Sequence, residues 1–284
     1  MSMRARRDPR VMLFGYYGVC GALAVFFLFP IVWVALSSLK PSVEAMQAPP
    51  TWWPSRFSIE NYRNLLTGPA DLTRPAANSL SVAVASALGV AILSAAAGYG
   101  LSRHAFIGRR VALIAMLSTL MIPFQTIAIP LFMVMRQLGL QNSLTGLALV
   151  YTALHLPLAI FIMQTAFDSV PRELDEAAIM DGASGPTILA RVLAPLVAPS
   201  VVTVLLINFI ACWNEFFAAL ILMTDQRNYT LPVVLINVQF GYMGVVDWGA
   251  LQAGTMLTML PCLLLALAFQ RYYVAGLTAG AAKG

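Results

Sequence analysis

Long uncharged stretches alternate with short charged ones along the chain. Uncharged runs fill residues 11–39, 75–102, 111–135, 137–167, 192–214 and 248–270, and each can cross a hydrocarbon core that needs about 20 helical residues. The pattern predicts an all-α integral membrane protein with six transmembrane helices. Gly98, Gly100, Pro123, Pro130 and Pro157 fall inside these runs, where neighbouring helices can re-satisfy freed backbone groups. The first run follows Arg4, Arg6, Arg7 and Arg10, as a cleavable signal would, but extends from Val11 to Leu39. A signal core has about 7–15 apolar residues, so a retained first helix is expected.

The connections carry the local signals. Residues 40–74 hold Pro41, Pro49, Pro50, Pro54 and the pair Trp52 and Trp53. They read as an ordered outer loop with a short helix around Ser58–Leu66, where Ile59, Tyr62, Leu65 and Leu66 recur at helical spacing. The tryptophans suit the edge of a bilayer better than a ligand grip. Residues 229–246 are uncharged for the length of a short span, yet Pro232, Asn237, Gln239, Gly241 and Gly244 disfavour a lipid-facing helix. A re-entrant or outer-surface segment is expected there; a crossing would place the carboxyl terminus outside.

Composition narrows the class. The chain is 60% hydrophobic and 10% charged, against roughly a quarter charged in soluble domains. The net charge of +5 does not read as a nucleic-acid site, because the basic residues sit beside the spans. With the amino terminus inside, eleven Lys and Arg fall on inner segments and six on outer ones, which places both termini in the cytoplasm. Cys20, Cys212 and Cys262 have no metal or disulfide spacing and read as packing residues. Asn78, Gln125, His155, Gln164, Asn208, Asn214 and Glu215 lie in or at the ends of spans. Such groups face the protein interior or a water-filled path, or tie helices together.

The inner segment 168–191 is the most informative. Pro171 suits a helix start, Glu173, Asp175 and Glu176 suit its positive end, and Gly182 suits a terminating residue with positive φ. A short exposed helix, a sharp break and a second helix entering the fifth span are expected. A helix this short is marginal in water and needs something to dock on. The chain has no GxxxxGK[ST] phosphate cradle, so it is not expected to hydrolyse ATP.

At this segment the chain resembles the membrane-spanning permeases of ATP-binding-cassette (ABC) importers, in particular the carbohydrate-uptake group. Their inner-loop signature is EAA, three residues, G, nine residues, then I-x-LP. Here it reads Glu176, Ala177, Ala178, then Gly182, then Val192, Leu193, Ala194 and Pro195, with valine replacing isoleucine and Ala194 replacing leucine. The SLKP stretch at Ser38–Pro41, NYR at Asn61–Arg63, NS at Asn78 and Ser79, LSR at Leu101–Arg103, DGA at Asp181–Ala183 and WNEF at Trp213–Phe216 look like that group too. So do Gln270, Arg271, Tyr272 and the terminal AAKG.

The resemblance implies a type I ABC importer permease fold: one permease domain over 1–284, with an ATPase-coupling loop at about 168–191. It places coupling on Glu176, Ala177, Ala178, Asp181, Gly182 and Ala183. It implies two cytoplasmic ABC ATPase subunits that bind ATP and Mg2+, a second and commonly different permease, and an extracellular or periplasmic solute-binding protein, all at a bacterial plasma membrane. This chain looks like the shorter, maltose-type permease, with no cofactor of its own. Sugar recognition needs hydrogen-bonding and aromatic groups, for which Gln125, Tyr151, Asn208 and Asn214 are translocation-path candidates. An ion-driven secondary transporter and a non-transporting scaffold are the alternatives, and neither calls for the EAA loop.

Overall fold

The computed structural model describes residues 9–68, 71–240 and 246–281. All regular structure among them is helical. The elements are α1 (Pro9–Ser38), α2 (Ser42–Ala45), α3 (Glu60–Thr67), α4 (Thr73–Arg103), α5 (Arg109–Ser118), α6 (Phe124–Gln137), α7 (Leu144–Asp168), α8 (Glu173–Met180), α9 (Gly185–Thr187), α10 (Ala194–Leu196), α11 (Ala198–Asn214), α12 (Phe217–Leu222), α13 (Leu231–Phe240) and α14 (Trp248–Ala281).

Four stretches are single helices long and apolar enough to cross a membrane: Gly15–Ser38, Thr73–Arg103, Leu144–Asp168 and Trp248–Gln270. The other two expected spans are bent. Arg109–Met121 meets Phe124–Gln137 at 102°, and Gly185–Leu196 meets Ala198–Asn214 at 83°, so the count reaches six if each pair is one span. Proline explains both breaks. Pro123 withdraws an N–H and pushes Ile122 to φ −84°, ψ 116°, the extended region that a following proline favours. Pro195 and Pro199 flank Val197 and remove donors from two successive turns. The fourth span starts at Leu144, not at residue 137 as the uncharged run suggests, because Gly139 and Asn142 adopt φ of 68° and 54° and turn the chain.

The chain divides into two compact units. In the first, residues up to Asp71 together with Leu235–Leu257, α1 is apolar all round and its spanning window is 0% buried by the rest of the chain. Such a helix requires lipid or another subunit around it. Its last turn is capped from a distance. Asn61, in α3, donates to the carbonyls of Ser38 at 2.9 Å and Lys40 at 2.8 Å and accepts from the Ser42 hydroxyl at 2.9 Å. Carbonyls at a helix end have no partner within the helix, so Asn61 satisfies groups that would otherwise be orphaned. Tyr62 bonds Ser38 at 2.7 Å, and Gly249 lies so close that an added Cβ would stand 2.6 Å from the Asn61 Oδ1. SLKP and NYR are thus two halves of one clamp. Beside it, the Glu44 carboxylate accepts from Thr51 and from the hydroxyl and backbone N–H of Ser55. Trp52 is exposed and meets the Trp33 ring edge-on at 5.0 Å.

The second unit, Leu72–Val234 with residues from Thr258, is built on α4, α7 and α11, which pack against one another. The buried face of α4 carries Ser79, Ala83, Ala87, Ala91, Ser94, Gly98 and Ser102, spaced three or four apart so that they share one stripe. Small residues let helix backbones approach where lipid offers no hydrophobic drive. At Gly98 the approach is closest: an added Cβ would lie 2.8 Å from both the Gln164 nitrogen and the Met163 Cβ. Asn78 donates to the carbonyls of Arg227 and Tyr229, and Ser79 accepts from Leu231 N–H at 2.8 Å, so the NS pair fixes the 227–231 connection.

The ambiguous segment 229–246 contains a ten-residue helix, Leu231–Phe240, which rises about 15 Å and is too short to cross. Residues 241–245, with Gly241 and Gly244, lie outside the described residues. The short helix expected around Ser58–Leu66 is present as Glu60–Thr67.

Candidate coupling site

The helix expected in segment 168–191 is α8. Its first turn holds Glu173, Asp175 and Glu176, three carboxylates at the positive end of the dipole. Its C-terminus closes as a Schellman motif: Ala183 N–H bonds the Ala178 carbonyl at 3.0 Å and Gly182 N–H bonds Ile179 at 2.9 Å. The motif needs a left-handed residue, and Gly182 supplies it at φ 80°. The chain then re-enters helix at α9, passes through a π-helical turn over Ile188–Leu193 and α10, and reaches α11. Pro171 stands two residues before the helix rather than inside its first turn.

One face of α8 is fixed to the bundle. Asp175 Oδ2 lies 2.9 Å from Arg103 Nε, with side chains only 13% and 8% exposed; the pair is a charge contact, without hydrogen-bond alignment. Arg103 also donates to the Val170 carbonyl at 3.0 Å, and Arg172 to the Ser102 carbonyl at 3.3 Å. Ser102 donates to Asp168 at 2.6 Å. Ala178 joins Met163, Phe167, Ile188 and Leu193 in one buried apolar cluster. The last turn of α4, the last turn of α7 and segment 170–193 are therefore one packed body.

The opposite face is free. Glu176, Ala177, Asp181 and Gly182 are exposed, Ala183 is half-buried, and Ile179 and Met180 are 60% and 86% exposed. Two apolar side chains standing out from an acidic loop outside the spans are an unmet contact surface. Sequence reasoning named Glu176, Ala177, Ala178, Asp181, Gly182 and Ala183 but missed Asp175, Arg103, Ile179 and Met180 as members. Opposite charge in LSR and in the loop was the available signal for the ion pair, but 72 residues of chain separate the partners.

The four path candidates do not form one cluster of hydrogen-bonding partners. Gln125 and Asn214 are exposed. Tyr151 is fully buried and donates to Glu215, which also accepts from Ala218 and Ala219 N–H at 2.9 and 3.3 Å and so caps α12. Asn208 is buried and donates to Val204 in its own helix. Trp213 donates to the Thr258 carbonyl at 2.9 Å, so in WNEF the Trp and Glu serve packing while Asn214 stays accessible. Among the described residues no group of three or more His, Cys, Asp or Glu could hold a metal ion.

Comparisons with known proteins agree with this architecture. Residues 87–278 match the family described as "Binding-protein-dependent transport system inner membrane component". The chain is 36% identical to the trehalose/maltose transport system permease protein MalG of Thermococcus litoralis, over 99% of this chain and 100% of that one. It is 34% identical to the trehalose transport system permease protein SugB of Mycobacterium tuberculosis, over 95% and 97%. A chain of a crystallised bacterial ABC transporter involved in alginate import superposes with a TM-score of 0.82 at 23% identity, over 96% of this chain and all of that one, which establishes the shared fold. The chain belongs to the family of binding-protein-dependent transport system inner membrane components, as a multi-pass, non-catalytic permease subunit of an ABC transporter in the inner membrane.

Proposed function

We propose that this permease forms half of the pathway of a carbohydrate importer and receives the force for transport through α8. The two-faced geometry of α8 carries the reading. Asp175 and Ala178 lock one face to the ends of α4 and α7, while Ile179, Met180, Glu176 and Ala177 project from the other. A load on the exposed face has no slack segment to deform before it reaches the spans. The free face suits a groove with apolar walls and a basic or N–H-donating group for Glu176, on an ABC ATPase that itself binds ATP and Mg2+.

With each bent pair as one span, six crossings put both termini on one side, and the excess of Lys and Arg on the inner segments makes that side the cytoplasm, with α8 on the inner surface. The assembly has two ATPases, a second permease and a solute-binding protein, and the whole chain acts as one permease domain. The relatives named for trehalose and maltose favour a neutral disaccharide as cargo. Gln125 and Asn214, both exposed, are the side chains we assign to contact with it, whereas Tyr151 is engaged by Glu215 and Asn208 by Val204 in its own helix. The test is uptake of trehalose and maltose by the copurified assembly in vesicles. Uptake that requires ATP and the binding protein supports the proposal; uptake by the isolated chain driven by an ion gradient defeats it.

A further inference from the structure

The connection between α4 and α5 borders a cavity whose positive charge the chain neutralises only in part, through the long Arg109–Asp168 pair. The cavity measures about 530 Å³ and is lined by Phe106, Arg109, Arg110, Val111, Leu113 and Gln164, all within one compact unit. It is a depression open to the surface rather than an enclosed pocket. Arg109 approaches Asp168 only to 3.9 Å, and the same carboxylate oxygen already accepts from Ser102 at 2.6 Å. Arg110 is exposed and has no carboxylate within ion-pair distance among the described residues. Both arginines sit in the first turn of α5, which contains no acid, so the positive end of the helix adds to their charge. An anion with several acceptor oxygens is the complement, and phosphate matches the guanidinium fork.

The surroundings select its source. Ile107 is fully exposed, and Phe106 and Val111 are 51% and 70% exposed, an apolar rim directly beside the two charges. A free phosphate leaves that rim in water, whereas a lipid phosphate brings acyl chains to cover it. We propose that this cavity binds the headgroup phosphate of an anionic phospholipid in the inner leaflet. The inference rests on the proposed orientation, which puts this connection on the cytoplasmic side, where anionic lipids meet basic pockets. Through Arg109 and Asp168 the site adjoins Ser102 and hence the Arg103–Asp175 link.

Native mass spectrometry of the assembled transporter, released from bilayers of phosphatidylcholine mixed with phosphatidylglycerol, tests it. Wild type should retain phosphatidylglycerol in preference, and inorganic phosphate should not displace it. Arg110→Gln should weaken retention about fivefold, and Arg109→Gln with Arg110→Gln further, at one surface charge lost per substitution. Equal retention of both lipids, or unchanged retention in the double variant, overturns the site. Displacement by inorganic phosphate overturns the lipid assignment in favour of a soluble anion, and loss of the ATPase with lipid retention intact overturns it in favour of a subunit contact. ATP-driven uptake, measured on the same samples, reports separately on the transport reading.

Discussion

Asp175→Asn is the most informative single change, because it alters charge with almost no change in shape. The Arg103 guanidinium stands 2.9 Å from the carboxylate with both side chains nearly out of solvent. At an effective dielectric near 20 the gross attraction at that distance is roughly 6 kcal/mol. Much of this offsets desolvation, and removing one partner of a buried pair typically costs about 3–5 kcal/mol because the other charge is left uncompensated. Arg103 keeps its bond to the Val170 carbonyl, which favours the lower end. A loss of about 3 kcal/mol exceeds what an eight-residue helix can recover alone, so the expected outcome is an undocked α8 on a folded bundle. ATP-driven uptake should fall at least tenfold while ATPase turnover persists, and limited proteolysis should cut within 168–191. The Arg103→Met, Asp175→Leu double variant removes both charges and should be less impaired than either single change. Purely additive losses across that cycle, or wild-type uptake and protease resistance in Asp175→Asn, refute the link.

Other expected outcomes address the same chain elsewhere. Gly182→Pro forbids φ 80° and should uncouple ATPase from uptake with normal membrane insertion, as should Glu176→Lys by opposing the acidic face; normal uptake in both excludes the coupling role. Gly98→Ala forces α4 and α7 apart at a 2.8 Å contact, costing about 1–3 kcal/mol; an unchanged thermal midpoint in detergent counts against the packing. Glu44 lies outside the spans, and the Ser55 hydroxyl and N–H, then Thr51 and Lys40, hold its carboxyl below the ordinary value of 4.5 against the opposing effect of burial. Because the folded value is the lower one, the stability that Glu44 contributes to the loop after α1 is fully present above the ordinary value and is lost as pH falls through the depressed one. Trp52 and Trp53 fluorescence should follow that acid transition, and Glu44→Gln should abolish it; an identical profile in the variant contradicts the assignment.

The chain's hydropathy made the four single-helix spans and the two bent pairs visible as uncharged runs, since uncharged length is a property of neighbouring residues. It could not show the two bends. Pro130 and Pro157 lie inside continuous helices, whereas Pro123 and the Pro195, Pro199 pair break theirs; surrounding contacts decide between these results. In segment 168–191, the acidic helix start and Gly182 were legible because capping is local. Its attachment was not, because Arg103 reaches Asp175 across separate helices. Tyr151 illustrates the converse limit: a polar ring in a span reads equally as path lining or as packing, and its hydrogen bond to Glu215, 64 positions along the chain, is not visible in the sequence. SLKP, NYR and WNEF were recognisable as strings, and their physical content emerged as cap contacts made over long sequence separations.

Contact between the exposed face of α8 and an ATPase is the step on which the proposed transport depends. Met180, 86% exposed, can be replaced by cysteine in the assembled transporter and treated with a short bifunctional cross-linker during ATP turnover. The expected outcome is a cross-link to the ATPase, and modification of the same cysteine by an impermeant thiol reagent only from the cytoplasmic side. Modification from the outside, or a cysteine never captured against the ATPase in a complex that transports, contradicts it.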